Sequence, residues 1–461
     1  MTGEKRSSGQ PVGVLEGDVI GFVLPEAYGV IHWDSRIVFV DGVLPGETAR
    51  VEVIKKKKNV FLGKVLELLR TSPHRIDPPC MHYRSGCGGC SMQEIAYSEQ
   101  IRIKERYAWE TMHRIGQVDW GAIAYDGFTP SPLSIEYRNK MEFSFGSSGK
   151  DLRLGLRPRG RWWEVVDLTT CLLMKPDLVG RILHVFREYG RRHSISGYDP
   201  VRKEGILRNV LVRYSAKKNA VLIGLFTTPF ELPERRELVA RVQSEIPEMI
   251  GLVHITSQSP ADALVYDRTE VLWGEDWFTE NIGHIDYRVS LANFFQVNAA
   301  ANHLVYERAK SMANPTDGDW LFDLYCGGGG LGLYLADAVS RVVGVEENPN
   351  AIEDARNNAL ANNLANVSLI TGKVEQELVD YPVKEIPIVT VDPPRCGLNR
   401  KVIRRLCRLV PEKIIYVSCN ISSLARDTTL FREHGYHLRQ IGFVDLFPQT
   451  VHFEAIGLFT R

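Results

Sequence analysis

No stretch of this 461-residue chain approaches the ~18 consecutive apolar residues that a membrane-spanning helix needs. The opening residues, MTGEKRSSGQ, are polar and lack the apolar centre of an export signal, so a soluble cytoplasmic protein is expected. Net charge is absent as well: 56 basic side chains balance 56 acidic ones, and composition alone announces no nucleic-acid partner. Internal repeats and low-complexity segments are missing. Cysteine is sparse, with eight residues in all. In a long chain without an export signal, that argues against a disulfide framework and for metal binding or catalysis. At roughly 100–200 residues per domain the length suggests about three domains.

What is present is unevenly placed. Between Glu136 and Lys218 stand 18 Lys and Arg against 9 Asp and Glu. Phosphate contacts require such a basic region, and a solvated charged face is the plainer alternative. Residues 12–70 read as short strands between turn signals, among them GVIHW, RIVFVDG and TARVEVIKKKK. This is the pattern of a small β-barrel of the oligonucleotide-binding kind. Lys55 to Lys58 form a basic run beside it, which alone reads as a charged edge strand resisting aggregation. A Pro- and Cys-rich loop, Asp77 to Cys90, leads to an expected helix from Ser91 to Gly116. Residues 124–285 mix strands and helices as a central α+β domain. Beyond Phe295, strands and helices alternate with short links, which predicts a doubly wound parallel sheet.

Within that last region Asp323-Leu-Tyr-Cys-Gly-Gly-Gly-Gly-Leu-Gly332 joins a strand to a helix. Its glycines let backbone approach a ligand closely, although tight turns use glycine too. Glu346 ends the next strand about 20 residues on, where an acidic group can hold ribose hydroxyls. Asp323 before the glycines fits an adenosylmethionine site better than a dinucleotide site. Asp392-Pro393-Pro394-Arg395 ends another strand. There it reads as a methyltransferase element near the methyl group, or as a Pro-stiffened strand exit.

Val417-Ser418-Cys419-Asn420 follows the strand KIIY and precedes a helix. Cys419 thus lies at the carboxyl edge of the sheet, where α/β folds bind ligands. A helix N-terminus there is expected to lower the thiol pKa. A buried structural cysteine is the alternative. Chemistry gives the thiol a use. C5 of a pyrimidine is a poor nucleophile until a thiolate adds at C6. A base must then remove the C5 proton. Glu454, in the apolar stretch VHFEAIGLF, supplies a carboxylate whose burial would raise its pKa, unless it is an exposed hairpin charge.

These pieces together resemble the RNA (uracil-5-)-methyltransferase family. The matching segments are FFQVN (294–298), DLYCGGGGLGL (323–333), VVGVE (342–346), DPPRCGL (392–398), VSCN (417–420) and DLFPQTVHFE (445–454). LPGE (44–47) and the lysine run resemble the family's TRAM barrel. YRNKMEFSFG (137–146) and ILRNVLVR (206–213) resemble its central domain. The resemblance implies a Rossmann-like class I methyltransferase domain at residues 291–461, a central α+β domain at 73–290 and an RNA-binding barrel at 1–72. It implies S-adenosylmethionine bound by Gln296, Tyr325, Glu346 and Asp392. Cys419 would be the nucleophile and Glu454 the base. Arg138 and Lys140 would lie in a segment that meets RNA. The substrate would be a uridine in structured RNA, rRNA first and tRNA second, with no obligate protein partner and a monomeric state.

Cys396, beside Asp392 in the motif, departs from a purely uracil pattern. RNA cytosine-5-methyltransferases carry a cysteine there, so cytosine stays open as a target, while Cys396 reads as a small filler. A non-catalytic RNA-binding factor is a further alternative. Cys80-x6-Cys87-x2-Cys90, with Cys171 downstream, suits an iron–sulfur cluster or an all-cysteine zinc site. One C-x-x-C pair with two single cysteines favours iron–sulfur. The C-x3-C-x2-C spacing of radical enzymes is absent. The resemblance implies a [4Fe–4S] cluster on Cys80, Cys87, Cys90 and Cys171, with one residue more between the first two than many relatives have.

Overall fold

The computed structural model describes residues 13–57, 60–148, 151–260, 264–379 and 386–461. The chain divides into two compact units. The first gathers residues up to Pro79, Cys90–Trp109 and Gln449–His452; the second holds Cys80–Gly89, Glu110–Pro448 and Phe453–Arg461. Among the described residues no helix is long and apolar enough to cross a membrane.

In the first unit, β1 (Gly13–Val23), β2 (Tyr28–Trp33), β3 (Arg36–Asp41), β4 (Thr48–Lys57) and β5 (Val60–Arg70) close a barrel in the order β1-β2-β3-β5-β4. Period-two alternation is what closes it. Ile31, Val38, Val40, Val51 and Val53 point inward and are wholly buried. Each such side chain contributes about 1.5–3 kcal/mol. Arg50 stays outside and pairs with Glu16 and Glu67. The side chains of Lys55–Lys57, and all of Lys58, lie outside the described residues.

The LPGE segment has a structural job. Glu47 is wholly buried, pairs with Arg75 at 2.6 Å and accepts from the backbone of Leu44 and Ser72. Burial alone would raise its pKa; Arg75 and the two backbone donors outweigh it and hold the carboxyl below its usual value. Arg75 also reaches Glu94 at 2.8 Å.

A single helical turn, α1 (Met81–Arg84), precedes helix α2 (Tyr97–Arg114). The helix expected from Ser91 therefore starts six residues late. The amides of Ser91 and Met92 donate to the Gln449 carbonyl, and that of Ala96 donates to His74, so a helix cannot use them. Gln449 is held further by Gln100, whose Oε1 accepts from the Gln449 amide at 3.0 Å while its Nε2 donates to Gln449 Oε1 at 2.9 Å. Val451 joins Leu24, Leu44, Met92, Ile95 and Ile103 in a small core.

The second unit is built on two large sheets and a two-stranded one. One has the order β13-β12-β11-β10-β7-β8-β9. Its strands come after β6 (Ala124–Thr129): β7 (Lys140–Ser148), β8 (Asp151–Leu156), β9 (Val166–Asp167), β10 (Leu207–Ser215), β11 (Ala220–Thr227), β12 (Met249–Thr256) and β13 (Arg268–Gly274). Helices α3 (Pro176–Arg192) and α4 (Arg235–Glu245) belong to this region. Strand β10 is buried along its whole length, and its unbroken apolar run Val210-Leu211-Val212 suits a strand covered on both faces. A hairpin, β14 (Trp277–Ile282) and β15 (Ile285–Ser290), follows, and then α5 (Ala299–Ala313).

The other sheet has eight strands in the order β18-β17-β16-β19-β20-β22-β21-β6. Its parallel part comprises β16 (Trp320–Leu324), β17 (Arg341–Glu346), β18 (Val367–Thr371), β19 (Ile388–Val391) and β20 (Lys413–Ser418). Between them lie α6 (Gly330–Leu335), α7 (Pro349–Ala361), α8 (Val374–Glu377) and α9 (Arg400–Arg408); α10 (Ile421–Glu433) follows β20. Antiparallel β21 (His437–Val444) and β22 (Glu454–Thr460) extend the sheet. The edge strand β6 comes from far upstream and pairs parallel to β21. The chain runs from β16 outward to β18, then crosses back to β19, so the carboxyl ends of β16 and β19 flank the crevice where ligands bind in such sheets.

Candidate active site

Each site residue follows from the sheet's direction. Tyr325 leaves β16, Glu346 ends β17, Asp392 leaves β19 and Cys419 leaves β20. Strand β22 runs the other way, so its first residue, Glu454, starts at the edge where its parallel neighbours end. Register fixes the match: Ser418 lies opposite Ala455, which puts Cys419 beside Glu454.

The Gly-rich turn is anchored from beneath. Asp323 is buried, accepts from Thr390 Oγ1 at 2.6 Å and accepts from the Gly332 amide at 3.0 Å. A Cβ on Gly332 would lie 2.6 Å from that carboxylate, so only glycine fits. Burial pushes Asp323 up to about 6, with Thr390 and Gly332 pulling the other way. Tyr325 holds a left-handed φ of 62°, a conformation that costs a non-glycine residue and clusters at ligand sites. Glu346 accepts from the amides of Gly327 at 3.3 Å and Asn348 at 2.9 Å. Beside Gly327 a Cβ would meet no heavy atom within 4 Å, so the turn faces open space.

The FFQVN segment is set by two asparagines. Asn139 Nδ2 donates to the Gln296 carbonyl at 2.9 Å, and the Asn139 amide donates to Val297. Asn298 caps α5 through the Ala301 amide and donates to Ser131 and Leu446. The Gln296 side chain lies near enough to Asp392 to act on its titration. Asp392 is pushed up to about 7 by burial and by Asp323, against the pull of Gln296.

Glu454 is 2% exposed, and its Oε2 has no hydrogen-bond partner among the described residues. Burial and the neighbouring Asp392 raise its pKa well above the carboxylate range, with Arg395 opposing. Cys419 is half-buried, and its thiol is pushed up to about 11 by burial, Glu454 and Asp392, with Arg395 again opposing. The expectation of a lowered thiol pKa is therefore overturned. Cys419 does precede α10, but burial between two carboxyls outweighs the helix terminus.

Three residues have roles that the sequence did not reveal. Asn420 caps α10 through the Ser422 amide, and its Nδ2 donates to the Arg395 carbonyl at 2.9 Å, tying the VSCN turn to the DPPR turn. Arg395 is the cation acting on both Cys419 and Glu454. Tyr137 donates to the Pro448 carbonyl at 3.0 Å. In YRNK, therefore, Tyr137 and Asn139 brace the site, while Arg138 and Lys140, which alternate with them, are half-buried. Burial and Arg213 lower the Lys140 pKa. Cys396 is exposed, so it fills no gap in the packing.

The cysteine loop is a separate locality. All eight cysteines are free thiols. Cys80 precedes α1, Cys87 is half-buried and Cys171 is buried. Burial raises Cys87, with Cys80 adding to it; Cys171 is pushed up to about 11 by burial, with Cys87 and Cys80 adding to it. His82 Nε2 meets the amide and the hydroxyl of Thr169, both at 3.1 Å, fixing this loop to the segment that carries Cys171. In the first unit, Cys90 Sγ accepts from Gln93 at 3.0 Å. Among the described residues no three His, Cys, Asp or Glu side chains converge on a single metal ion.

Comparison with known proteins aligns with this geometry. The profile of the tRNA (Uracil-5-)-methyltransferase family matches residues 253–461. An uncharacterized RNA methyltransferase of Halalkalibacterium halodurans is 31% identical over 457 residues, covering 98% of this chain and 99% of the relative. One of Caldanaerobacter subterraneus subsp. tengcongensis is 33% identical over 456 residues, covering 97% and 100%. The crystal structure of Pyrococcus abyssi tRNA (uracil-54, C5)-methyltransferase in complex with S-adenosyl-L-homocysteine superposes with a TM-score of 0.77 at 25% identity, covering 97% of this chain and all of that one.

Proposed function

This chain belongs to the RNA (uracil-5-)-methyltransferase family, and on that premise we propose that it methylates C5 of a uridine in structured RNA through Cys419 and Glu454. The observation that carries the reading is the buried, unpartnered Oε2 of Glu454 beside Cys419. A buried carboxyl oxygen without a partner costs free energy unless a substrate uses it.

S-adenosylmethionine, when bound, supplies a methyl group on a positively charged sulfur. Glu346 would take its ribose hydroxyls, and the open face of the Gly-rich turn with Tyr325, Gln296 and Asp392 would hold the rest. Beside such a cation Glu454, Asp392 and Cys419 would lose protons more readily, because opposite charge favours the ionised form. The Cys419 thiolate would add to C6 and make C5 nucleophilic; C5 would take the methyl as the methyl–sulfur bond of the donor breaks, leaving S-adenosylhomocysteine. Glu454 removes the C5 proton, the C6–S bond breaks, and the thiolate is restored. The uridine must leave its stack to reach Cys419. Whether the RNA is rRNA or tRNA follows from surfaces outside this crevice; rRNA is our first assignment.

The four cysteines Cys80, Cys87, Cys90 and Cys171 are proposed ligands of a [4Fe–4S] cluster. The mutual influence of Cys80, Cys87 and Cys171 on one another's titration supports their lying in one locality. The barrel is proposed as a TRAM-type RNA-binding module, and the protein as a cytoplasmic monomer.

The test is Glu454→Gln with labelled methyl donor and RNA from a deletion strain. Turnover should fall roughly 10²–10⁴-fold, and a covalent RNA–protein adduct should accumulate because elimination needs the proton removed. Persisting turnover without adduct would reject the assigned roles. Mass-spectrometric mapping of 5-methyluridine identifies the target.

A further inference from the structure

Outside the crevice, the turn between β8 and β9 carries Arg157, Arg159, Arg161, Trp162, Trp163 and Glu164. Trp162 is 53% exposed and Trp163 is 47% exposed, whereas tryptophan is on average highly buried. Their rings meet edge to face, with centroids 6.0 Å apart and planes at 88°. In that arrangement neither indole covers both faces of the other.

The turn is braced from both sides. The Gly88 amide donates to the Arg157 carbonyl at 3.0 Å, and Cys87 forms an antiparallel bridge with Pro158. A Cβ on Gly88 would lie 2.4 Å from that carbonyl, so the cysteine loop packs directly on the turn's base. The Arg157 guanidinium donates to the Trp162 carbonyl, and Arg161 pairs with Glu164 at 2.6 Å. In sequence, residues 157–164 carry three arginines and one acidic residue, within the basic stretch from Glu136 to Lys218.

We propose that this braced tip grips single-stranded RNA, stacking an unpaired base on Trp162 or Trp163 while Arg157, Arg159 and Arg161 offset the flanking phosphates. An indole face accepts any base, and cations beside it match the backbone charge. Preorganisation by the Cys80–Gly89 loop lowers the ordering cost of binding. An apolar protein patch has no use for three guanidiniums. The proposal rests on RNA being the substrate, and under it the cysteine loop serves to hold this tip in place.

The experiment uses the full chain with a labelled single-stranded oligouridylate and, separately, duplex RNA of equal length. The double variant Trp162→Ala/Trp163→Ala should bind the single strand roughly tenfold more weakly and lose part of the tryptophan quenching that RNA causes. Trp162→Tyr/Trp163→Tyr should recover most of the affinity, because a π face remains. At saturating RNA, kcat should stay unchanged while KM rises. Equal affinity and equal quenching in the alanine variant would overturn the tip assignment alone. Failure of the wild type to bind any RNA would overturn both this proposal and the RNA-substrate reading. A change in sedimentation on removing the indoles, without RNA, would instead make the tip a contact between copies.

Discussion

Cys419 and Cys171 are both thiols pushed up to about 11, with burial the largest cause in each. Their surroundings differ. Cys419 stands at a sheet edge, facing two carboxyls and the Arg395 cation. Cys171 faces two more thiols and a loop pinned by His82. A raised thiol pKa alone therefore distinguishes nothing; the neighbours decide use. Carboxyls beside a thiol can pass protons during bond making. Thiols beside a thiol can share a soft metal.

Removing each sulfur in turn puts this contrast under the most strain. Cys419→Ala should lower methylation by roughly 10⁴-fold or more, as losing a covalent nucleophile does, while labelled adenosylmethionine still binds in equilibrium dialysis. Next comes pH. With the thiol near 11, the thiolate fraction grows about tenfold per pH unit below that value. The kcat/KM should then climb from pH 7 to pH 9, and a plateau already at pH 7 would show that the free enzyme holds a preformed thiolate. Cys171→Ser should spare Cys419 chemistry, keeping kcat within roughly tenfold, while iron content falls and the melting temperature drops about 2–4 °C for each kcal/mol lost. The smallest effect is expected for exposed Cys396. Cys396→Ser should change kcat less than about twofold, within the range of ordinary surface substitutions; collapse of activity would move the target toward cytosine.

The sequence read well where pattern is local. Period-two runs of β-branched residues announced the barrel, and alternating elements announced the parallel sheet. Cys419, Asp392 and Glu346 could be placed because a strand's end is visible in sequence. What escaped was long-range pairing. Nothing local in AYDGFT says that β6 joins a sheet whose other strands begin some 190 residues later. Nothing near Asn420 says that its amide reaches Arg395. The sign of the Cys419 shift was missed because a helix terminus is legible and a second carboxyl across the sheet is not. Glu454's burial was anticipated from its apolar neighbours, since those neighbours are what desolvate it.

The four residues Gln449–His452 have a consequence in time. They complete the small core of the first unit through Val451, yet the rest of that unit ends at Trp109. A ribosome adding ~5–20 residues per second needs roughly 20–70 s to cover the intervening stretch. For that interval the nascent barrel carries an unfilled place beside Met92 and Ile95. Release of residue 451 both seats that core and delivers Glu454, so the carboxyl proposed to accept the proton arrives only with the segment that finishes the first unit.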